Sequence, residues 1–247
     1  MSQSPIPRVL STFRRHRVKA LLMGGQACIL YGAAEFTRDV DFAVAVDPEN
    51  LGRLRAALDE LEAEPVFFPL LSAAVLRRGH ACHFRLRAAG LHGLRIDAMS
   101  KMRGVDSFSK LWQRREEFEL HGVGRVAALA LPDLVKAKKT QPDKDWPMIR
   151  RLIEADVARA PSRIAASRCR FWLQECRSSE LLRDLAHRYP EAAGRVRRPA
   201  LRAAITGDHE RATEQLKNEE DRERQQDRLY WAPLRSELER WRRSRSR

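Results

Sequence analysis

The chain of 247 residues is poor in everything that marks a secreted or membrane-bound protein. No run approaches the roughly 20 apolar residues that a membrane span needs. No apolar stretch precedes the N-terminal basic cluster that could serve as a signal sequence. There are only four cysteines, Cys28, Cys82, Cys169 and Cys176, with no CxxC pair. That excludes a disulfide scaffold and points to free thiols, hence to the cytoplasm as the expected compartment. No GxxxxGK[ST] string exists, so a P-loop ATPase is not supported. Lysine is scarce as well: of 47 basic residues only 8 are Lys.

What is present suits a globular chain of one or two domains. Hydrophobic residues make up 43% and charged residues 32%, enough apolar surface for a core. The net charge of +14 would concentrate polyanions around the molecule. Arginine in place of lysine can equally reflect a GC-rich coding sequence, so the charge alone does not choose a nucleic-acid partner.

Residues 18–23 (VKALLM) read as a buried strand that stops at Gly24-Gly25, with a short helix over 26–34. In 39–46 (DVDFAVAV) Val40, Phe42, Val44 and Val46 alternate with Asp39 and Asp41, which places both carboxylates on one strand face. Pro48 opens an amphipathic helix carrying Leu51, Leu54, Leu58 and Leu61. Strand-like pieces follow at 65–68, 82–87 and 94–99, the last holding Asp97. Helices are expected from Leu131 and over 144–155. Beyond about residue 157 only Arg- and Glu-rich helical stretches remain, with Trp172, Leu229, Tyr230, Trp231, Leu234, Leu238 and Trp241 expected in helical-hairpin cores. The predicted organisation is therefore α+β over 1–156, a mixed sheet flanked by helices, followed by an all-α region over 157–247. The formal charge is +6 in the first part and +8 in the second.

Asp39 and Asp41, at i and i+2 of one strand, repel each other unless a cation lies between them. Oxygen-only ligands select Mg²⁺ or Mn²⁺, and Asp97 on a neighbouring strand would complete such a site. A Gly-Gly turn at the head of a helix leaves backbone N–H groups open to phosphate oxygens. A strand face turned to solvent would show the same Asp residues, and Lys136, Lys138 and Lys139 read equally as a solvated helix face. His80, Cys82 and His83 (HACH) read better as a half-buried strand than as a zinc clip.

The order of these features, hydrophobic-Gly-Gly, a spacer, then Asp-hydrophobic-Asp, resembles the signature of the DNA polymerase β-like nucleotidyltransferase superfamily. The wording GGQACILYGAAEFTRDVDFAV is similar to the minimal nucleotidyltransferases and the AbiEii-type toxins. LPDLVKAKKTQPDKDWPMIRRL is similar to the later helices of that group, which puts Lys138 on the helix Lys and Lys144-Asp145 on a Lys-Asp pair. The resemblance covers roughly 18–155. It implies a nucleotidyltransferase fold and a metal-dependent transfer of an NMP from an NTP to an acceptor hydroxyl. Asp39, Asp41 and Asp97 would then be the metal-binding and catalytic residues. Gly24, Gly25, Lys138, Lys144 and Asp145 would bind the nucleotide. The acceptor expected first is RNA, in particular a tRNA 3′ end, with a protein hydroxyl or a small molecule next, and a toxin-like relative would have an antitoxin partner. The alternative is an inactive module that keeps the fold and binds nucleotide or nucleic acid without turnover.

Overall fold

The computed structural model describes residues 5–34, 36, 37, 39–139 and 142–245. Contacts divide the chain into two compact units, one of residues 1–30, 35–137 and 230–247, the other of 31–34 and 138–229. The expected boundary near 157 falls in the last turn of a helix, Pro142–Ala158, inside the second unit.

The first unit is built on a seven-stranded mixed sheet. Its strands are β1 (Ala20–Met23), β2 (Asp39–Val44), β3 (Ala63–Pro65), β4 (Cys82–Leu86), β5 (Arg95–Met99), β6 (Glu116–Leu120) and β7 (Gly124–Ala128). They lie in the order β3-β4-β5-β2-β1-β7-β6, with β2/β5 and β1/β7 parallel and the other neighbours antiparallel. This is the expected α+β arrangement. One sheet face is core: Leu22, Val40, Phe42, Phe84, Ile96 and Ala98 pack with Val9, Leu10 and Phe13 of α1 (Ile6–Arg15). Leu51, Leu54 and Leu58 of α3 (Pro48–Glu60) join them. Each fully buried Leu or Phe contributes about 1.5–3 kcal/mol.

Local chemistry explains the element ends. Asp47 caps α3, its carboxylate accepting from the Asn50 amide N–H at 2.9 Å, and Pro48 occupies the first turn. Asn50, 1% exposed, donates to the carbonyls of Lys19 and Ala45 and accepts from Lys19 N–H, so a buried amide ties α3 to the strand ends. Strands β6 and β7 were not expected. The EEFEL string of β6 has too few apolar residues to read as a strand, and a sheet edge demands little burial.

The second unit is helical: α7 (Pro142–Ala158), α8 (Ala166–Glu175), α9 (Ser179–Arg188), α10 (Pro190–Gly194), α11 (Pro199–Ile205) and the first part of α12 (His209–Arg245), after α2 (Gly24–Leu30), α4 (Ala73–Arg78), α5 (Phe108–Gln113) and α6 (Leu131–Lys138). No strand follows residue 157 among the described residues, as expected. Trp172, fully buried, is the core anchor, its indole N–H donating to Asp156 at 2.7 Å. Arg198 donates to the carbonyls of Leu173 and Cys176 and to Glu219, which Arg177 also engages at 2.6 Å. The expected hairpin-core role in this unit holds for Trp172 and fails for the rest: Tyr230, Trp231, Leu234 and Leu238 are only half-buried and group with the first unit. Leu229 is 68% exposed. Trp241 belongs instead to the first unit, where its ring lies 5.9 Å from Phe68 and 4.9 Å from His80.

Candidate active site

Strand alternation sends Asp39 and Asp41 to the sheet face opposite Val40 and Phe42. The parallel register of β2 and β5 then pairs Asp41 with Asp97 and Asp39 with Arg95. On the other side of β5, β4 pairs His83 with Asp97. The result is two short rows across the sheet, His83, Asp97, Asp41 and Met23 in one, Arg85, Arg95 and Asp39 in the other. Asp39, Asp41 and Asp97 thus share one face of two adjacent strands.

Gly24 follows Met23 directly and packs against this row. Its φ is +63°, and a Cβ there would collide with the Asp41 carboxylate, so glycine is required twice over. A Cβ on Gly25 would lie 2.7 Å from the Thr37 hydroxyl, which accepts from the Asp39 amide N–H at 3.5 Å. The Gly-Gly turn therefore lets the strand end, the helix start and the carboxylate strand approach one another closely.

Arg95 and His83 flank the carboxylates on this face. Arg95 donates from Nη2 to Asp97 at 2.8 Å, and its Nε lies 3.9 Å from Asp39. His83 Nδ1 is 2.8 Å from the other Asp97 oxygen. Burial would raise the Asp97 pKa, but the hydrogen bonds from His83 and Arg95 and their charges hold it below the usual carboxylate range. The hydrogen bond to Asp97 in turn raises the Arg95 pKa, with the charges of Asp97, Asp39 and Asp41 adding to it. Neither residue carries a site role in the sequence, where His83 reads as part of the half-buried HACH strand. Arg95 beside Asp97 was within reach of the sequence, because i and i+2 on a strand share a face. His83 was not, because its partner depends on the pairing of β4 with β5.

Carboxylate oxygens on one face are the donor type that a divalent cation takes. Asp39, with 42% of its side chain exposed, is accessible, whereas Asp97 is 12% exposed and gives both oxygens to His83 and Arg95. As placed, no three His, Cys, Asp or Glu side chains among the described residues are arranged to share one ion. The expected nucleotide-binding residues of the later helices lie in the second unit. There Lys138 Nζ donates to Asp145 at 2.8 Å. Lys144 is on α7, and its side chain lies outside the described residues.

Neither a family model nor a curated protein sequence matches the chain. Among solved structures it is similar to a candidate nucleotidyltransferase of H. pylori, with a TM-score of 0.39 and 13% identity over 88% of this chain and 93% of that one. It is also similar to JHP933 from Helicobacter pylori, with a TM-score of 0.39 and 14% identity over 90% and 94% of the two chains.

Proposed function

We propose that the chain is a metal-dependent nucleotidyltransferase, moving an NMP from an NTP to an acceptor hydroxyl. The observation that carries this reading is the pairing of Asp41 with Asp97 across parallel β2 and β5, with Asp39 on the same face and Gly24 packed against Asp41. Asp39 and Asp41 would hold Mg²⁺ or Mn²⁺, and Asp97 would join them when Arg95 releases its oxygen. The metal, when bound, would offset triphosphate charge and lower the pKa of the attacking hydroxyl. The chain's own part is electrostatic. Arg95 keeps neighbouring carboxylates from repelling one another, His83 fixes the Asp97 orientation, and the Gly24-Gly25 turn would offer backbone N–H groups to phosphate. Lys138, Lys144 and Asp145 keep, in this reading, the roles that the family resemblance implies.

The finer reading is a toxin-like enzyme of the minimal nucleotidyltransferase and AbiEii-like group, acting on RNA with a tRNA 3′ end as first choice, and held in check by an antitoxin. No helix among the described residues is long and apolar enough to cross a membrane. The test incubates the protein with each α-labelled NTP, Mg²⁺ and either total RNA or lysate protein, beside an Asp39→Ala/Asp41→Ala variant. Label is expected in one macromolecular fraction with the unaltered protein and in none with the variant.

One observation favours a second reading, a binding module without turnover: both Asp97 oxygens are already engaged by His83 and Arg95. In that case Arg95 stands permanently in place of a cation. Nucleotide bound tightly with no label transferred to any fraction would select it.

A further inference from the structure

The second unit contains an open cavity of about 590 Å³ that no part of the catalytic reading uses. Arg163, Arg170, Arg188 and Arg195 line it together with Tyr189, and Glu191 is the one acidic side chain in its wall. All four arginines are exposed. None makes a side-chain hydrogen bond or ion pair with a described residue. Elsewhere in this unit Arg150 pairs with Glu154, Arg168 with Asp156, and Arg177 and Arg198 with Glu219. Arg188 has a local reason for its place, the C-terminal turn of α9, where a cation meets the helix dipole. Arg195 is the C-cap residue of the single-turn α10, and Arg163 and Arg170 have no such reason. Like charges gathered around one concavity repel, and an anion relieves that repulsion.

We infer that this cavity binds the phosphodiester backbone of a single-stranded nucleic acid. Its volume lies in the range that accommodates a nucleotide-sized group, well beyond one inorganic phosphate. The arginines come from four places in the chain, before α8, on α8, at the end of α9 and after α10, which suits successive phosphates better than a single anion. Tyr189, half-buried and held against Trp172 with ring centroids 6.2 Å apart, supplies an aromatic wall beside them, and bases stack on such rings whatever their sequence. A single strand can turn a base into a concavity without the unpairing that a duplex requires.

The test is fluorescence anisotropy of labelled 12-nucleotide oligouridylate and oligothymidylate with the full chain, across 50–300 mM KCl, with neither NTP nor divalent cation present. Failure here leaves the catalytic reading standing, and failure of the catalytic reading leaves this site standing. Four phosphate contacts give a slope of log K against log [salt] near about −3, and Arg170→Ala/Arg195→Ala should halve it. The same variant should weaken binding by at least about tenfold. Arg150→Ala, which removes a paired arginine outside the cavity, should leave the slope unchanged. Arg163 lies outside any helix, so Arg163→Ala provides the measurement if the double variant does not fold, with a slope smaller by about 0.7. Preference for oligouridylate identifies RNA as the source of the backbone, and equal binding identifies the backbone alone. An unchanged slope in the cavity variants, an equal loss in Arg150→Ala, displacement by millimolar inorganic phosphate, or binding to anionic vesicles but to neither oligonucleotide would overturn the inference.

Discussion

Arg95 is the residue on which the electrostatics of the carboxylate face turns. Its guanidinium bonds Asp97 and lies 3.9 Å from Asp39, so it occupies the electrostatic position that a metal ion would also seek. Two unit charges at that separation interact by about 1–4 kcal/mol at effective dielectric constants of 80 to 20. Arg95→Gln should therefore tighten Mn²⁺ binding without nucleotide by about tenfold, each factor of ten being about 1.4 kcal/mol. The same change should lower the melting temperature of the metal-free protein. Titration calorimetry with MnCl₂ checks the first effect, and weaker Mn²⁺ binding would show that Arg95 supports the ion instead of competing with it. Gly24→Ala forces a Cβ into the Asp41 carboxylate at a φ of +63°. A loss of about 1–3 kcal/mol is expected in urea unfolding, together with loss of nucleotidyl transfer. The aspartates and Gly24 were legible because Asp alternation and a Gly-Gly pair are local signals. Arg95 shares a strand face with Asp97 but carries no sign of a site role in a local pattern of carboxylates, and His83 depends on the pairing of β4 with β5, which no local signal reports.

At the scale of elements, α3 could be read in advance from its leucine spacing, its Asp47 cap and Pro48, and β2 from its alternation. The adjacency of β2 and β5 could not. They are parallel and more than fifty residues apart, and only the packed sheet sets Asp41 beside Asp97. A second long-range element is the charged cluster that joins α8, α11 and α12. Burial raises the Glu219 pKa, but the hydrogen bond and charge of Arg198 and the charge of Arg177 outweigh it, so the net shift is downward from 4.5. A carboxylate whose pKa folding lowers contributes stability fully above its unfolded value and loses that contribution as pH falls through the folded one. Melting temperatures should hold between pH 7 and 5 and fall below about pH 4, with a shallower fall in Glu219→Gln. That variant also leaves buried Arg198 without its carboxylate and Arg177 with Glu175 alone at 3.1 Å, at a cost of about 3–5 kcal/mol at neutral pH. An identical acid profile in the two proteins would place the loss of stability elsewhere.

For the whole molecule, the sequence suggested a cut near residue 157, where strand signals end. Packing instead assigns 138–229 to one unit and returns 230–247 to the other. Composition could not reveal that return, since α12 is Arg- and Glu-rich throughout. The reason is tertiary: Glu237 pairs with Arg78 and lies 2.8 Å from buried His80, and Trp241 packs on His80 and Phe68. The charge of +14 is likewise not one surface. Part of it lies within ion pairs, Arg95 faces the carboxylates, and four arginines with no ion-pair partner among the described residues surround one cavity. Transfer of α-labelled NMP to RNA or protein in the presence of Mg²⁺, compared between the unaltered chain and Asp41→Asn, tests the catalytic reading most directly. Label incorporated by the unaltered chain and reduced by at least about a thousandfold in Asp41→Asn, about 4 kcal/mol of transition-state stabilisation, is the expected result. Equal incorporation by both proteins, or nucleotide binding with no transfer by either, would contradict it.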